Sequence, residues 1–411
     1  MSEHELEPTE SPCEQSERFH MIELVSYIIF GIGPLVGNAV LTLLGPISSD
    51  FLVDPTAVLI ALPAFMFPFA IFQLFSGALS DSYGRVPVIV GGLIAFLVGL
   101  GLISFSWSLA MFALGYLVSG IGFGFANPVL LALLSDCAPP GDIPKRMGYA
   151  AAIASLCVGL GPFIAWQMVR FGWQLYYLLI LCIILLGLVS IVMAKRPTMS
   201  IHGETGIRAL IRNLGAELRK GVVLIMLVTT FLIPLVYLAT FVWTSRGMTG
   251  SLNESVLGFL LLGGGIFGTV AGLLLGRLIQ TRGFGLTTAV GIIPQIAGIL
   301  LFLLIGDITL PSALPWDGIA IILVGWAGGL LFPLMITYSQ IISPERRGVL
   351  AGIVTFAFFL GYAFIPTIYE PLFHQGMTSL YLGIFGVTIL LLVFVTVLYR
   401  KIEEWTSDST M

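Results

Sequence analysis

Charge is what this chain has least of. Only 10% of its 411 residues are Asp, Glu, Lys or Arg, 57% are hydrophobic, and the mean hydropathy is +1.03. A soluble fold of this length must cover its surface with polar groups, and this composition cannot supply them. Cysteine and histidine are equally sparse, at four each. Cys13, Cys137, Cys157 and Cys182 show no metal-ligand spacing, and His4, His20, His202 and His374 fall in tails or loops. A metal centre and imidazole chemistry are therefore not expected. No nucleophile sits beside a base and no phosphate-binding glycine loop is found, so neither an enzyme, a cofactor site nor an ATP-driven pump is predicted. The net charge of -4 owes much to an acidic N-terminal tail and points to no nucleic-acid partner.

What the chain has instead is long apolar segments. A bilayer-crossing helix needs about 20 mostly apolar residues, and twelve segments qualify: 21–44, 56–79, 87–107, 109–134, 148–169, 173–194, 221–244, 256–275, 285–306, 318–342, 348–368 and 379–399. Strands of a membrane barrel would be about ten residues long and alternate apolar with polar; these segments do not. Glu23 is the only charged residue inside any of them. The expected fold is an all-α integral membrane protein of twelve transmembrane helices. With residues 1–20 in the cytoplasm, every Lys and Arg except Arg170 and Arg246 falls on the cytoplasmic side, as the positive-inside rule requires. The cytoplasmic membrane, with both termini inside, is the expected location.

The N-terminal stretch 1–20 carries six glutamates and no signal-peptide pattern, so it reads as a disordered acidic tail before an uncleaved first span. Residues 195–220 form the one long polar stretch between spans and divide them six and six: a bundle over 21–194, a linker, a bundle over 221–401, and a tail over 402–411. Within the linker, 207–214 has an amphipathic pattern suited to the membrane surface.

Between the second and third spans runs Gly77-Ala78-Leu79-Ser80-Asp81-Ser82-Tyr83-Gly84-Arg85-Val86-Pro87. A carboxylate, two glycines and an arginine in so short a connection force a tight hairpin at the water boundary. The run resembles the signature loop of the major facilitator superfamily, Gly-x-Leu-x-Asp-x-x-Gly-Arg-Arg-x-Pro in its drug exporter branch, with Val86 in place of the second basic residue. Internal repetition agrees with such a fold. Gly276-Arg277-Leu278-Ile279-Gln280-Thr281-Arg282-Gly283 echoes the loop at an offset of 199, and Gly329 to Pro333 echoes Gly124 to Pro128 at 205. Duplicated halves with substrate bound between them are a common transporter architecture.

The resemblance implies roles. Asp81, with Gly77, Gly84 and Arg85, would form a cytoplasmic gate that docks on the start of the eleventh span at Gly348, with Arg146 as a basic partner. The unsatisfied N–H groups of a helix start suit a carboxylate. In the fifth span, Gly159-Leu160-Gly161-Pro162 looks like the Gly-Pro motif of the antiporter branch, in which that helix packs closely on the eighth. Gly264, Gly268, Gly272 and Gly276 would supply the matching face. The first, fourth, seventh and tenth spans line the cavity in this family, and there Tyr27, Asn38, Tyr116, Asn127, Tyr237, Trp326 and Tyr338 combine apolar surface with a hydrogen-bonding group. Trp243 reads as a cavity residue or an interfacial anchor. An uncharged cavity disfavours charged substrates and fits a small neutral, lipophilic or amphipathic one.

The family's coupling acid in the first span falls here at about Asn38 or Ala39, and tyrosine (Tyr116) replaces its arginine in the fourth. Glu23 is the remaining proton-coupling candidate, or a side chain that simply reaches headgroup water. Proton-coupled efflux by a monomer is the first expectation; an uncoupled facilitator and a non-transporting sensor are the alternatives. If Asp81 is a gate, Asp81→Asn should lower turnover in a flux assay while leaving the protein folded, and normal transport would remove it from the mechanism.

Overall fold

The computed structural model describes residues 12–136, 143–193, 212, 214–251, 256–342 and 347–408, and among them all regular structure is helical. In the first half of the chain the helices are α1 (Pro12–Ala39), α2 (Leu44–Phe51), α3 (Pro55–Val58), α4 (Ala61–Tyr83), α5 (Arg85–Ser104), α6 (Leu109–Asp136), α7 (Ile143–Met168) and α8 (Trp173–Met193). The second half holds α9 (Gly221–Met248), α10 (Leu257–Ile305), α11 (Leu314–Ile342), α12 (Arg347–Ala363), α13 (Ile365–Phe373) and α14 (Met377–Asp408).

Eleven helical segments among the described residues are long and apolar enough to cross a membrane, where the sequence predicts twelve. The difference lies in α10, whose 49 residues would reach about 74 Å if straight, more than twice a bilayer's hydrocarbon core. The eighth and ninth predicted spans both fall on it, and its helical torsions fail at Gly283 (φ 73°, ψ 173°). Gly84, at the equivalent position of the sequence echo, has φ 91° and ψ 154°. Both glycines occupy a region closed to residues with a Cβ, so the repeat seen in sequence is also a repeat of backbone conformation.

At the N-terminus, helix is described from Pro12 on, within the stretch expected as a tail. Proline suits a first helical turn, and Glu14 and Glu17 lie where the helix dipole favours negative charge. Most of the linker, including nearly all of the amphipathic stretch 207–214, lies outside the described residues.

Packing follows the halves of the chain. Helix α1 lies against α6, α7 and α8, and α5 against α6 and α8; in the second half α10 lies against α11 and α14, and α9 against α11, α12 and α14. The larger junctions between the halves, among the described residues, are α7 with α10 and α4 with α12, and the 3-10 turn Val40–Thr42 also meets α9. Glycine sets the closeness of several pairs. At α7 and α10 a Cβ on Gly159 would collide with the Leu261 carbonyl, and one on Gly265 would lie 2.9 Å from Gly159.

The stripe Gly264, Gly268, Gly272 does not serve that junction, contrary to expectation. It turns toward α11, where Gly264 meets Gly325 and Gly268 meets Gly325 and Gly329. One residue on a helix is a rotation of about 100°, which separates Gly264 from Gly265 and gives each its own partner. Gly161 likewise faces α1, against Leu35. A Cβ at Gly329 would strike the Gly268 carbonyl, whereas one at Gly276 meets nothing within 4 Å. Gly329→Val should therefore destabilise by roughly 1–3 kcal/mol or more, read as a lower thermal midpoint in detergent. Gly276→Val should leave that midpoint in place.

Candidate substrate and gating site

In the middle of the molecule a buried polar link joins the halves. Pro34 interrupts the amide ladder of α1, and one turn later Asn38 uses Nδ2 to donate to the Pro34 carbonyl at 2.8 Å. Its Oδ1 accepts from the Tyr362 hydroxyl of α12, also at 2.8 Å. Asn38 and Tyr362 are both buried, and the amide is satisfied on both sides, as a buried polar group must be. Tyr116 and Tyr237 lie close enough to Tyr362 to interact electrostatically with it. The Tyr116 hydroxyl pairs with that of Tyr177 at 2.7 Å, and the Tyr237 ring lies over Gly328.

Three predicted cavity residues, Asn38, Tyr116 and Tyr237, thus come together around a tyrosine on the eleventh predicted span, which the sequence reading assigned to the gate and not to the cavity. Asn127 lies on the same face of α6 as Gly120 and Phe123, with its Oδ1 buried and unpartnered. The other three are engaged elsewhere. Trp326 donates Nε1 to the Val290 carbonyl at 3.2 Å. Tyr338 stacks on Phe284 with ring centroids 5.1 Å apart. Tyr27 donates to Glu23 Oε1 and approaches the Arg146 carbonyl, both at 3.3 Å. Trp243 is fully buried against Phe373, which excludes the role of interfacial anchor.

At the end that carries Arg85 and Arg146, carboxylates pair within the first half. Arg85 binds Asp81 Oδ1 through Nη1 at 2.6 Å, Asp136 Oδ2 through Nε at 3.0 Å, and the Ser80 hydroxyl. One guanidinium thereby ties the end of α4, the start of α5 and the end of α6. Among the described contacts, Asp81 takes a hydrogen bond from Arg85. Residues 343–346 and the side chain of Arg347 fall outside the described structure, while the backbone at Gly348 belongs to the first turn of α12. Arg146 lies 3.5 Å from Glu23, so its described carboxylate partner is the coupling candidate and not Asp81. Pro162 keeps its carbonyl on the inner side of α7, where Thr42 donates to it at 2.7 Å.

At the opposite end, among the described residues, an ion pair crosses between the halves. Arg246, in the last turn of α9, donates Nε to the Thr56 hydroxyl at 2.8 Å and Nη2 to Asp54 Oδ1 at 3.2 Å. Its guanidinium also stacks on Phe373, 5.0 Å from the ring centroid. Asp54 caps α3 by accepting from the Thr56 amide at 2.7 Å. Hydrogen bonding from Thr56, with a smaller contribution from Arg246, holds its carboxyl below the usual carboxylate range. Sequence reading set Arg246 aside as an exception to the charge asymmetry.

Long apolar helices, ion pairs confined to their ends, and a neutral polar centre shared by both halves define a multi-pass membrane transporter rather than an enzyme. The chain belongs to the Major Facilitator Superfamily, whose model matches residues 24–366. It is similar to the uncharacterized MFS-type transporter YceJ of Bacillus subtilis, 26% identical over 355 residues that cover 83% of this chain and 86% of the relative. A shorter match, 27% over 161 residues, joins it to the multidrug resistance protein MdtL of Citrobacter koseri and covers 39% of this chain and 41% of that one. A crystal structure of the nucleoside transporter NupG superposes with a TM-score of 0.75 at 12% identity, over 92% of this chain and 99% of the other; this likeness shows the fold.

Asp54 is exposed, so its pair with Arg246 is worth about 0–1 kcal/mol. Arg246→Ala should shift the balance at this end toward separation by up to about fivefold, read from accessibility of nearby introduced cysteines. Because the Asp54 carboxyl titrates low, its contribution is present above the unfolded value of about 3.9 and disappears only as pH falls through the lowered folded value. Accessibility should therefore rise in strong acid in the wild type but not in Asp54→Asn.

Proposed function

We propose that this protein is a secondary transporter that moves a small neutral, lipophilic or amphipathic compound across the cytoplasmic membrane by alternating access, as proton-coupled efflux. The observation that carries the reading is the Asn38–Tyr362 bond, a neutral and reversible link between the halves at the residues where an uncharged cavity was expected. A substrate with one hydrogen-bonding group and apolar bulk can replace that link on both sides. A charged substrate would find no counter-ion there. Efflux has the support of the partial likeness to a multidrug resistance protein.

The same reading takes α10 as two spans that meet at Gly283, which gives twelve helices in two bundles of six about the linker. It places the basic end and both termini in the cytoplasm and takes the monomer as the working unit. Asp81, Gly77, Gly84, Arg85 and Gly348 form the inner gate, with the Asp81–Arg85 pair as its released form. Gly161 and Pro162 hold α7 on α1 while α7 slides on α10. Glu23 and Arg146 pair on the same side, and Glu23 is the proton-coupling residue in this reading. The centre itself holds no carboxylate, and this favours an uncoupled facilitator as the second reading.

Proteoliposomes that report internal pH test the reading. Proton movement that requires both the protein and an added lipophilic compound is expected, and compound flux without it would leave the facilitator. Asn38→Ala and Tyr362→Phe should each lower flux roughly tenfold, the effect of about 1.4 kcal/mol from one unsatisfied buried partner. Unchanged flux in both variants would remove the pair from the site.

A further inference from the structure

Helices α4 and α6 bring two amides to one level without bonding them to each other. A Cβ on Gly120 of α6 would strike the Phe65 carbonyl of α4, and one on Gly124 would lie 3.0 Å from Phe72 and 3.2 Å from the Phe69 carbonyl. The rings of Phe72 and Phe125 stand 5.0 Å apart. The two helices therefore run in the same direction here, and the next turn of each places Gln73 of α4 beside Asn127 of α6. Gln73 is only 7% exposed, and its Nε2 has no hydrogen-bond partner among the described residues. The same holds for Asn127 Oδ1. Ser76 does not relieve the Gln73 amide, because its hydroxyl donates to the Gln73 main-chain carbonyl at 3.0 Å. A donor and an acceptor are thus buried side by side, too far apart to satisfy one another.

The surroundings are apolar and include the other half of the chain. On α12, Phe359 packs against Phe69 with ring centroids 4.5 Å apart, and a Cβ on Gly352 would lie 3.8 Å from Leu74. Gln73 falls between these two contacts, so it sits where the halves meet. Phe123 closes on Phe69 from α6 at 5.4 Å. The first carboxylates further along α4 and α6, Asp81 and Asp136, are about 12 and 14 Å away by helical rise, and Arg85 holds both. A buried donor or acceptor without a partner is costly, and so is a charge without a counter-ion. A hydroxyl group meets both amides at once, since it accepts one hydrogen bond and donates another.

We propose that Gln73 and Asn127 form a polar subsite for the hydroxyl group of a neutral aromatic compound. Gln73 Nε2 donates to the hydroxyl oxygen, Asn127 Oδ1 accepts the hydroxyl hydrogen, and the phenylalanines of α4, α6 and α12 hold the ring. The subsite lies inward of the Asn38–Tyr362 link. Phe65, a ring neighbour of Tyr116 at 6.3 Å, is about two turns nearer that link than Gln73. Gln73 becomes a specificity-determining residue on a span that sequence reading gave only to the gate loop. An ether of the same shape would satisfy Gln73 but leave Asn127 without a donor.

This inference rests on the reading of the protein as a transporter of neutral lipophilic compounds, and its test tells the two apart. Equilibrium binding of β-naphthol and of its methyl ether is measured at neutral pH on the full-length protein in lipid nanodiscs, with empty nanodiscs as the reference. The wild type should bind the naphthol roughly tenfold more tightly than the ether, the effect of one unsatisfied buried acceptor. Asn127→Leu should abolish that preference. Gln73→Leu should weaken both compounds by a similar factor and keep the preference, because both still offer an oxygen to the missing donor. Neither variant should lower the thermal midpoint, since hydrocarbon replaces an amide atom that has no partner. If both compounds bind and respond to Asn38→Ala while the preference survives Asn127→Leu, the subsite is wrong and the transporter reading stands. A lower midpoint in both variants with unchanged affinities would make the amides a structural pair bridged by ordered water, and the subsite would again be wrong. If neither compound binds the wild type, the subsite fails, and the transporter reading is then decided by flux of other lipophilic compounds in proteoliposomes.

Discussion

A charge in hydrocarbon costs several kcal/mol unless it is paired, and this cost sorts the ion pairs described in the molecule. Arg85, Asp81 and Asp136 gather at one end and Arg246 and Asp54 at the other. Between them the helices are joined by hydroxyls, carbonyls and amides. Tyr176 donates to the Leu35 carbonyl at 2.9 Å, Tyr369 to that of Leu235 at 2.6 Å, and Thr42 to that of Pro162. Neutral hydrogen bonds of this kind are worth about 1 kcal/mol each, enough to fix helix orientation and too little to prevent one half from moving on the other.

Close packing does the rest, and glycine decides where it occurs. In lipid there is no hydrophobic drive between apolar helices, so contact area depends on how near the backbones can come. Helix α10 divides its glycines between two partners: Gly264, Gly268 and Gly272 approach α11 within the second half, while Gly265 approaches α7 across the junction. A single helix is thereby fixed to its own half on one face and able to shear against the other half on the next.

The sequence made the membrane class and most long apolar helices legible, because hydropathy acts residue by residue. The Gly84 loop and its echo at Gly283 were legible because only glycine fits the torsions both adopt. The phase of the glycine stripe was not, since four-residue spacing defines a face without saying which neighbour it meets. The buried Asp317 was missed because the tenth span was begun at 318, one residue too late; α11 starts at Leu314. Tyr362 left no signal at all, for nothing in a run of apolar residues marks which tyrosine will find Asn38 across the other half.

The polar contacts of this conformation are distributed unequally, and that inequality has a direction. At the end bearing Arg85, the described ion pairs of Asp81 and of Glu23 close on residues of the same half, so the halves can part there without breaking them. Toward the opposite end, the Asn38–Tyr362 bond and the Arg246 contacts with Asp54 and Thr56 must all break for the halves to separate. Aromatic contacts from α4 add to that side: Phe69 with Phe359 of α12 at 4.5 Å, and Phe67 with Phe364, between α12 and α13, at 5.2 Å. Each of these links is individually small, and together they amount to a few kcal/mol. A barrier of that size is one that binding of a small ligand at the centre, or loss of one charge at the rim, is sufficient to reverse.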